Sequence, residues 1–332
     1  PRRLVLVDRE DELMIAHEWT WTRPLHAIVK ARSWNGFHWR HGFIESLNVE
    51  VATLVDHWDT IAALIPLREA RLDDSGLETI TRIAASPCLA RIRKLTLSEA
   101  APHLAKLAAS PHLGPVTELS ITNLRQVAHA DLAALLRAPG LATVRDLELF
   151  LVTLDEPTTR VVAHCPLRPE RLSIWMATFH GPSLVGAPIL DRVRSLRLEG
   201  PLDAPTLRAT LRDPAFARID ELMLSITDDA APHLIGAPWI GSLHHLEVKE
   251  PSTAGLEAIA RTGCFARLRT FNLIDGDLDV DGARALSRTD LPALESLCIS
   301  HAAFPPDAMR VLAESSLSDR TPDLIVHNRA VG

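Results

Sequence analysis

The sequence lacks the features on which several functional classes depend. Only 15 of its 332 residues are glycine, and no glycine-rich loop that could cradle a phosphate is present. No run of about eighteen uncharged apolar residues occurs, so no membrane-spanning helix is predicted. Lysine and arginine form no run, and 35 basic against 42 acidic residues give a net charge of −7. Because phosphate binding needs concentrated positive charge, nucleic acid is not an expected partner.

Cysteine is scarce, and the cysteines are too far apart to form a motif. Cys88, Cys165, Cys264 and Cys298 make neither a CxxC pair nor a disulfide framework. Free thiols in a reducing cytoplasm are expected, three of them packed as small hydrophobic residues and Cys298 pointing away from the core. No secretory signal is visible, so a cytoplasmic location is expected. The chain opens at Pro1 rather than Met, and we expect a trimmed or processed product.

Two arrangements resemble a site for chemistry, and both are incomplete. His38 and His41 could place two imidazoles together, but no cysteine or carboxylate stands at ligand spacing. Cys165 follows His164, but adjacent residues on an extended chain point apart, and a nucleophile needs its base within hydrogen-bond reach. Cys298 alone is a further thiol candidate. We therefore expect no catalytic residue, no metal and no cofactor, and we predict that the chain is not an enzyme.

The sequence does contain a repeat. A short pattern of alternating apolar residues recurs twelve times, with 23 to 28 residues between copies. Two positions after the central residue of each copy, the side chain is aliphatic in all twelve. Such alternation over five or six residues predicts a short strand with one buried face. The central residues, which we call the anchors, are Leu47, Ala70, Leu95, Leu119, Leu147, Leu172, Leu196, Leu222, Leu246, Phe271, Leu297 and Leu324.

Between the strands, apolar residues recur every three or four positions and predict helices. The clearest segments are 77–85, 131–138, 253–261 and 281–288. Asp131, Thr253 and Asp281 are predicted to cap helix N-termini. One strand and one helix cannot close a core alone, but stacked copies can. The sequence therefore predicts an α/β solenoid shaped as a horseshoe, with a parallel sheet of about twelve strands on the concave face and helices on the convex face.

The repeat resembles the leucine-rich repeat in its larger, helix-bearing class. The L-x-x-L-x-L core of that family is matched at residues 92–97, 116–121, 193–198 and 268–273. One position departs from the family, since the usual asparagine or cysteine three places after the last aliphatic residue is replaced by Ala100, Leu124, Val152, Ala177, Thr227 and Ala302. Without an asparagine ladder, we expect the turns after the strands to satisfy their backbone groups in another way.

The first 75 residues resemble bacterial leucine-rich-repeat proteins of the repeat-companion-domain group. The segment 39–45, WRHGFIE, is similar to the R-R-G-F-V-E type strand with which those solenoids begin, and we expect the companion domain itself to be missing. We predict a helical, Trp-rich capping segment over 1–41, the solenoid over 42–315, and a closing strand and tail over 316–332. Five tryptophans are interpreted as a hydrophobic cap on the first repeat rather than a ligand cage: Trp19, Trp21, Trp34, Trp39 and Trp58.

Side chains that flank the anchors are predicted to cover the concave face, with neighbouring copies about 4.8 Å apart. Phe150 and Trp175 fall in the same column of adjacent copies, and neighbouring exposed aromatics indicate binding. The alternative is that the 28-residue copy before Leu147 disturbs the register and turns one of these rings inward. Around these rings, acidic residues, arginines and one methionine combine as they do at the centres of protein interfaces. The predicted partner-binding residues are Phe150, Trp175, Glu148, Arg171, Arg197, Glu199, Glu221, Met223 and Glu247.

These observations favour a cytoplasmic protein-binding scaffold or regulator that holds, recruits or inhibits a protein or peptide on its concave face. The alternative is an accessory or substrate-recognition subunit of an enzyme whose catalytic part lies in another chain or in a missing N-terminal region. A hydrolase that uses Cys298 or the pair His164 and Cys165 is the third and least favoured reading. The last strand is predicted to leave an open edge, which can pair with a partner or with a second copy of the chain.

Overall fold

The structure is a computed structural model. It describes residues 12–13, 16–17, 19–28, 37–40, 43–47, 50–73, 76–98, 103–122, 127–150, 153–175, 178–179, 184–200, 208–209, 211–225, 234, 236–249, 253–260, 265–274, 278–302, 305–317, 321 and 323–328. The chain divides into two compact units, unit 1 from Pro1 to Leu147 and unit 2 from Glu148 to Gly332.

All twelve anchors lie in strands, and the twelve strands that carry them run parallel. Those of unit 1 are β2 (Phe43–Leu47), β3 (Glu69–Asp73), β4 (Lys94–Ser98) and β5 (Glu118–Thr122), and β1 (Phe37–Arg40) pairs antiparallel with β2. Strand β6 (Asp146–Phe150) spans the boundary between the units. Unit 2 contains β8 (Arg171–Trp175), β10 (Ser195–Leu198), β11 (Glu221–Ser225), β12 (His245–Lys249), β13 (Thr270–Ile274), β14 (Ser296–Ala302) and β15 (Asp323–Asn328). A separate parallel pair joins β7 (Thr153–Leu154) to β9 (Thr178–Phe179).

The burial of the strands alternates as the repeat predicts. In β12, Leu246 and Val248 are buried, whereas the residues on either side of Leu246 are only half-buried. The same alternation holds in β5, β6 and β13. One face of each sheet therefore forms the core, because an apolar residue at every second position places one row of side chains out of water. The prediction of an α/β repeat solenoid is confirmed.

A backbone ladder holds the beginnings of the strands. The carbonyl of Arg194 accepts hydrogen bonds from the N–H groups of Asp220 and Glu221, at 2.8 and 3.1 Å. The carbonyl of Asp220 accepts in the same way from His244 and His245. Each copy thus binds the next through a shared acceptor, so this part of the stack needs no polar side chain. Of the positions where the family carries asparagine, only Ala302 lies within the described residues.

The described helices agree with the predicted segments to within two residues. Unit 1 contains α1 (Val51–Asp56), α2 (Trp58–Leu64), α3 (Leu77–Ala84), α4 (Leu104–Ala108) and α5 (His129–Leu136). Unit 2 contains α6 (Glu156–Ala163), α7 (Thr253–Ala260), α8 (Val280–Ser287) and α9 (Pro306–Ala313). Several remaining links end in short 3-10 turns that begin at a proline, as at Pro188–Arg192 and Pro214–Arg218. The fixed φ of proline suits the first position of such a turn.

Two of the predicted helix caps are wrong by two or three residues. Asp131 lies in the first turn of α5, whose N-cap position is Ala128. Asp281 likewise lies in the first turn of α8, and Asp279 is the cap, with its carboxylate accepting a hydrogen bond from the N–H of Gly282 at 2.8 Å. This backbone hydrogen bond holds the pKa of Asp279 below its usual value. An aspartate inside the first turn still favours the helix, because it faces the positive end of the helix dipole.

The N-terminal tryptophans differ in burial. Trp58 in α2 belongs to the core, whereas Trp19 and Trp21 are exposed by 65% and 44%. The Trp21 ring lies 5.8 Å from that of Trp39. Of the five predicted to form the cap, Trp58 is therefore buried, Trp39 is half-buried, and Trp34 lies outside the described residues. The division into a capping segment, a solenoid and a closing strand stays a prediction.

Candidate partner-binding site

The sheet of unit 2 has one face made of the side chains that flank the anchors. We call it the open face, and it is the face that the sequence predicts to be concave. The register of the strands places its side chains in rows across the sheet. One row runs from β8 to β12 through Ser173, Arg197, Met223 and Glu247, each paired with the next. In the next row Ser225 of β11 pairs with Lys249 of β12. The residues predicted to bind a partner lie on this face between β6 and β12.

Two aromatic rings are in contact where the open face begins. Phe150 follows the buried Leu149, and Trp175 follows the buried Ile174, so neither ring enters the core. Their centroids are 5.9 Å apart and their planes meet at 47°. Both side chains are half-buried. The tilted contact is within the range that aromatic pairs favour, worth about 0.5–1.5 kcal/mol beyond the burial of area.

Arg197 lies over the indole of Trp175. Its Cζ atom is 3.3 Å from the ring centroid, well within the range of a cation–π contact. Burial lowers the pKa of the Arg197 guanidinium, while the carboxylates of Glu247, Glu199 and Glu148 oppose that shift. The guanidinium is therefore partly desolvated and surrounded by acidic groups, a setting in which its charge acts at short range.

A small network of ion pairs crosses the open face beside the rings. Glu199 receives the Nζ of Lys249 at 2.6 Å and the Nη2 of Arg197 at 3.5 Å. The same Arg197 atom is 3.9 Å from Oε1 of Glu247. The contacts of Glu199 with Lys249 and of Arg197 with Glu247 reach across β11, a span of about two strand spacings of roughly 4.8 Å each. Met223 stands between the charged residues in the register and is only 7% exposed, so it packs beneath the network and does not form contact surface.

The remaining predicted residues lie around the centre of the site, which we define as Phe150, Trp175, Arg197, Glu199 and Glu247. Arg171 and Glu221 are the first residues of β8 and β11, and both are exposed. Glu148 is half-buried on β6 and contributes its charge to the environment of Arg197. The sequence analysis left out Lys249, which completes the centre. The sequence could have indicated Lys249, because it stands in the same column as Glu199, two copies later, and has the opposite charge.

The thiols that the sequence offered as candidate nucleophiles differ in their surroundings. Burial raises the pKa of the Cys298 thiol, and the charge of Glu247 adds to the effect, so the thiol stays protonated at neutral pH. Cys165 is 3% exposed, while the neighbouring His164 is the C-cap of helix α6 and is exposed. Cys264, His41 and the side chain of His38 lie outside the described residues. Within the described residues, no three His, Cys, Asp or Glu side chains come together as metal ligands would.

Comparisons with known proteins concern the fold. Among protein-family models and curated proteins, none matches this sequence. A solved structure of a protein from Bacteroides fragilis is similar with a TM-score of 0.50 and 12% identity, over 80% of this chain and 76% of that one. The yeast Rad7 and Elc1 complex gives a TM-score of 0.45 and 12% identity, over 100% of this chain and 95% of that one. At 12% identity the first of these likenesses concerns the fold alone. No helix in the described segments has the length and apolar character needed to cross a bilayer.

Proposed function

We propose that this chain is a non-catalytic protein-binding scaffold or regulator, and that the open face of unit 2 binds its partner. The observation that carries the proposal is the contact of Phe150, Trp175 and Arg197 on a sheet face that is otherwise mostly polar. Tryptophan and arginine dominate the energetic centres of protein interfaces, and the charged groups around them set register and partner choice.

The centre is ordered before a partner arrives. Trp175 contacts both Phe150 and Arg197, and Lys249 holds Glu199 at 2.6 Å. Side chains that are already fixed lose less conformational entropy on binding, so more of the contact energy contributes to affinity. Because the ion pairs are partly desolvated, we expect them to reject partners that bring an unmatched charge.

The proposal also includes the family of the chain and its place in the cell. We infer a member of the bacterial repeat-companion-domain group that acts in the cytoplasm and has no catalytic activity of its own. Support comes from the strand β2, which contains Phe43, Ile44 and Glu45 of the segment that carries the resemblance, and which follows the antiparallel strand β1. In the alternative proposal, the chain is the recognition subunit of an enzyme, and the captured partner is then a catalytic chain.

Affinity capture with matched variants tests the proposal. The immobilised chain is incubated with native lysate, and the captured protein is identified and titrated against wild type and Trp175→Ala. We expect the variant to bind at least about tenfold more weakly, which corresponds to roughly 1.4 kcal/mol. The loss of stability should stay near 1–2 kcal/mol, because only the ring contact and the cation–π contact are removed.

Two controls keep the test specific. Trp19→Ala removes an exposed tryptophan of unit 1, and Arg194→Ala removes an arginine whose side chain is 69% exposed and paired with Asp220. Both should capture the partner as wild type does. Equal binding by Trp175→Ala and Trp19→Ala would remove the open face from the proposal.

A further inference from the structure

Three buried polar atoms on the open face have no hydrogen-bond partner. They are Nε1 of Trp175, Nε of Arg197 and Oε1 of Glu247. Arg197 connects them, since it contacts the Trp175 ring at 3.3 Å and Oε1 of Glu247 at 3.9 Å. In the described part of the chain the other such side-chain atoms are scattered over Trp39, Ser98 and Thr321. Native proteins leave few buried polar atoms unpaired, because each costs free energy, so three at one place indicate a position that a bound group completes.

The chemistry of the three atoms restricts that group. The N–H groups of Trp175 and Arg197 can only donate, and the carboxylate of Glu247 can only accept. The bound group must therefore accept two hydrogen bonds and donate one. A carboxylate could accept but not donate, and it would add negative charge beside Glu199 and Glu247. An ammonium group could donate but not accept. A hydroxyl group also has one donor and two lone pairs, but its single oxygen would have to reach all three atoms. An uncharged amide meets the requirement with two separate atoms, because its carbonyl oxygen has two lone pairs and its nitrogen carries hydrogen.

Access to these atoms depends on Arg197. Its contacts with Glu199 and Glu247, at 3.5 and 3.9 Å, are longer than the roughly 2.7–2.9 Å of a charge-assisted hydrogen bond. By contrast, Lys249 holds Glu199 at 2.6 Å. The Arg197 side chain is 29% exposed and only loosely held, so a group that binds here would reach the three atoms by displacing the guanidinium.

We propose that the open face of unit 2 binds an uncharged amide group of its partner. The amide oxygen accepts hydrogen bonds from Trp175 Nε1 and Arg197 Nε, and the amide N–H donates to Glu247 Oε1. This inference rests on the proposed protein-binding function and specifies the chemistry of its central contact. A primary amide would come from an asparagine or glutamine side chain of the partner, and a secondary amide from its main chain.

Small probes test the inference on the full chain without any partner. The chain is labelled with ¹⁵N-tryptophan, and the indole signal of Trp175 is assigned with the variant Trp175→Phe. Acetamide, N-methylacetamide and sodium acetate are titrated at constant ionic strength. We expect a saturable downfield shift of the Trp175 indole N–H with an amide and none with acetate. Trp239 is the internal control, because its Nε1 already donates to the carbonyl of Leu211 at 2.6 Å.

The outcomes separate the sources of the amide. A shift with acetamide alone identifies a side-chain amide, and a shift with N-methylacetamide alone identifies the main chain. Arg197→Lys keeps the charge but removes the Nε donor, and should weaken the response about tenfold or more, as the loss of one hydrogen bond to a charged group predicts. Arg194→Lys, on an exposed pair, should leave it unchanged.

Two results would overturn the inference: a shift with acetate equal to that with the amides, or amide shifts at Trp175 no larger than those at Trp239. Because the titration contains no partner, a negative result leaves capture by the open face intact. A normal amide response combined with lost dependence of capture on Trp175 would instead refute the proposed function.

Discussion

The ion pair between Glu199 and Lys249 gives the sharpest test of the energetics of the open face. Its atoms are 2.6 Å apart, and its side chains are only 12% and 24% exposed. A matched exposed pair lies in the same unit, where Arg194 and Asp220 are 3.1 Å apart with side chains 69% and 41% exposed. Both pairs lie in unit 2, and they differ most in burial.

The burial of the two side chains determines how large a coupling free energy we expect between Glu199 and Lys249. At an effective dielectric constant of about 20, unit charges roughly 3 Å apart attract by about 5 kcal/mol, and desolvation offsets a large part of this. Hydrogen bonds to charged groups contribute about 1.5–3 kcal/mol in measured series. We therefore predict a coupling of about 2 kcal/mol for Glu199 with Lys249. The exposed pair should give about 0.2–1 kcal/mol.

A double-mutant cycle measures both couplings. The variants Glu199→Gln and Lys249→Met, and their combination, are unfolded in urea, and Arg194→Met with Asp220→Asn forms the control cycle. Added salt should weaken the control coupling more strongly, because exposed charges are screened more than buried ones. If the coupling of Glu199 with Lys249 were no larger than that of the control pair, the network would be an ordinary solvated surface and the account of a preordered centre would be wrong.

Three further predictions concern the core, a helix cap and a thiol. Leu222→Ala in β11 should lower the free energy of unfolding by about 2–5 kcal/mol in urea, because the side chain is fully buried. Asp279→Ala should cost about 1 kcal/mol at neutral pH. Since the folded pKa of Asp279 is lowered, this difference should vanish as pH falls through that pKa, with Asp279→Asn as control. Cys298 should react with iodoacetamide at neutral pH more slowly than a free thiol, and a faster reaction would contradict its raised pKa.

Much of the fold follows from the sequence because burial of one sheet face imposes a strict period of two. Leu95 and Leu97, or Leu246 and Val248, stand two positions apart, and no other strand register would keep both out of water. The spacing of the copies then determines where the next strand begins. The site columns follow for the same reason, since every residue that flanks an anchor must leave the core.

Two features do not follow from the period of two in the strands: the side-chain contacts within the site, and the residues at which the helices begin. Glu199 reaches Lys249 across β11, and this depends on side-chain rotamers and on the small Ser225 between them, not on periodicity. In α8, Asp279 and Asp281 are both suitable caps, and the backbone conformation, extended at Asp279, decides between them. Met223 matched an exposed column, but the charged side chains around it leave it only 7% exposed.

The central claim is that a protein partner binds the open face of unit 2, and crosslinking tests it most directly. A photoreactive phenylalanine analogue replaces Ser173, which pairs with Arg197 on that face, or replaces the exposed Arg310 in helix α9. Irradiation in native lysate should crosslink the captured partner from position 173 and not from position 310. Crosslinks from position 310 alone would show that the partner binds the helical side and would contradict the account.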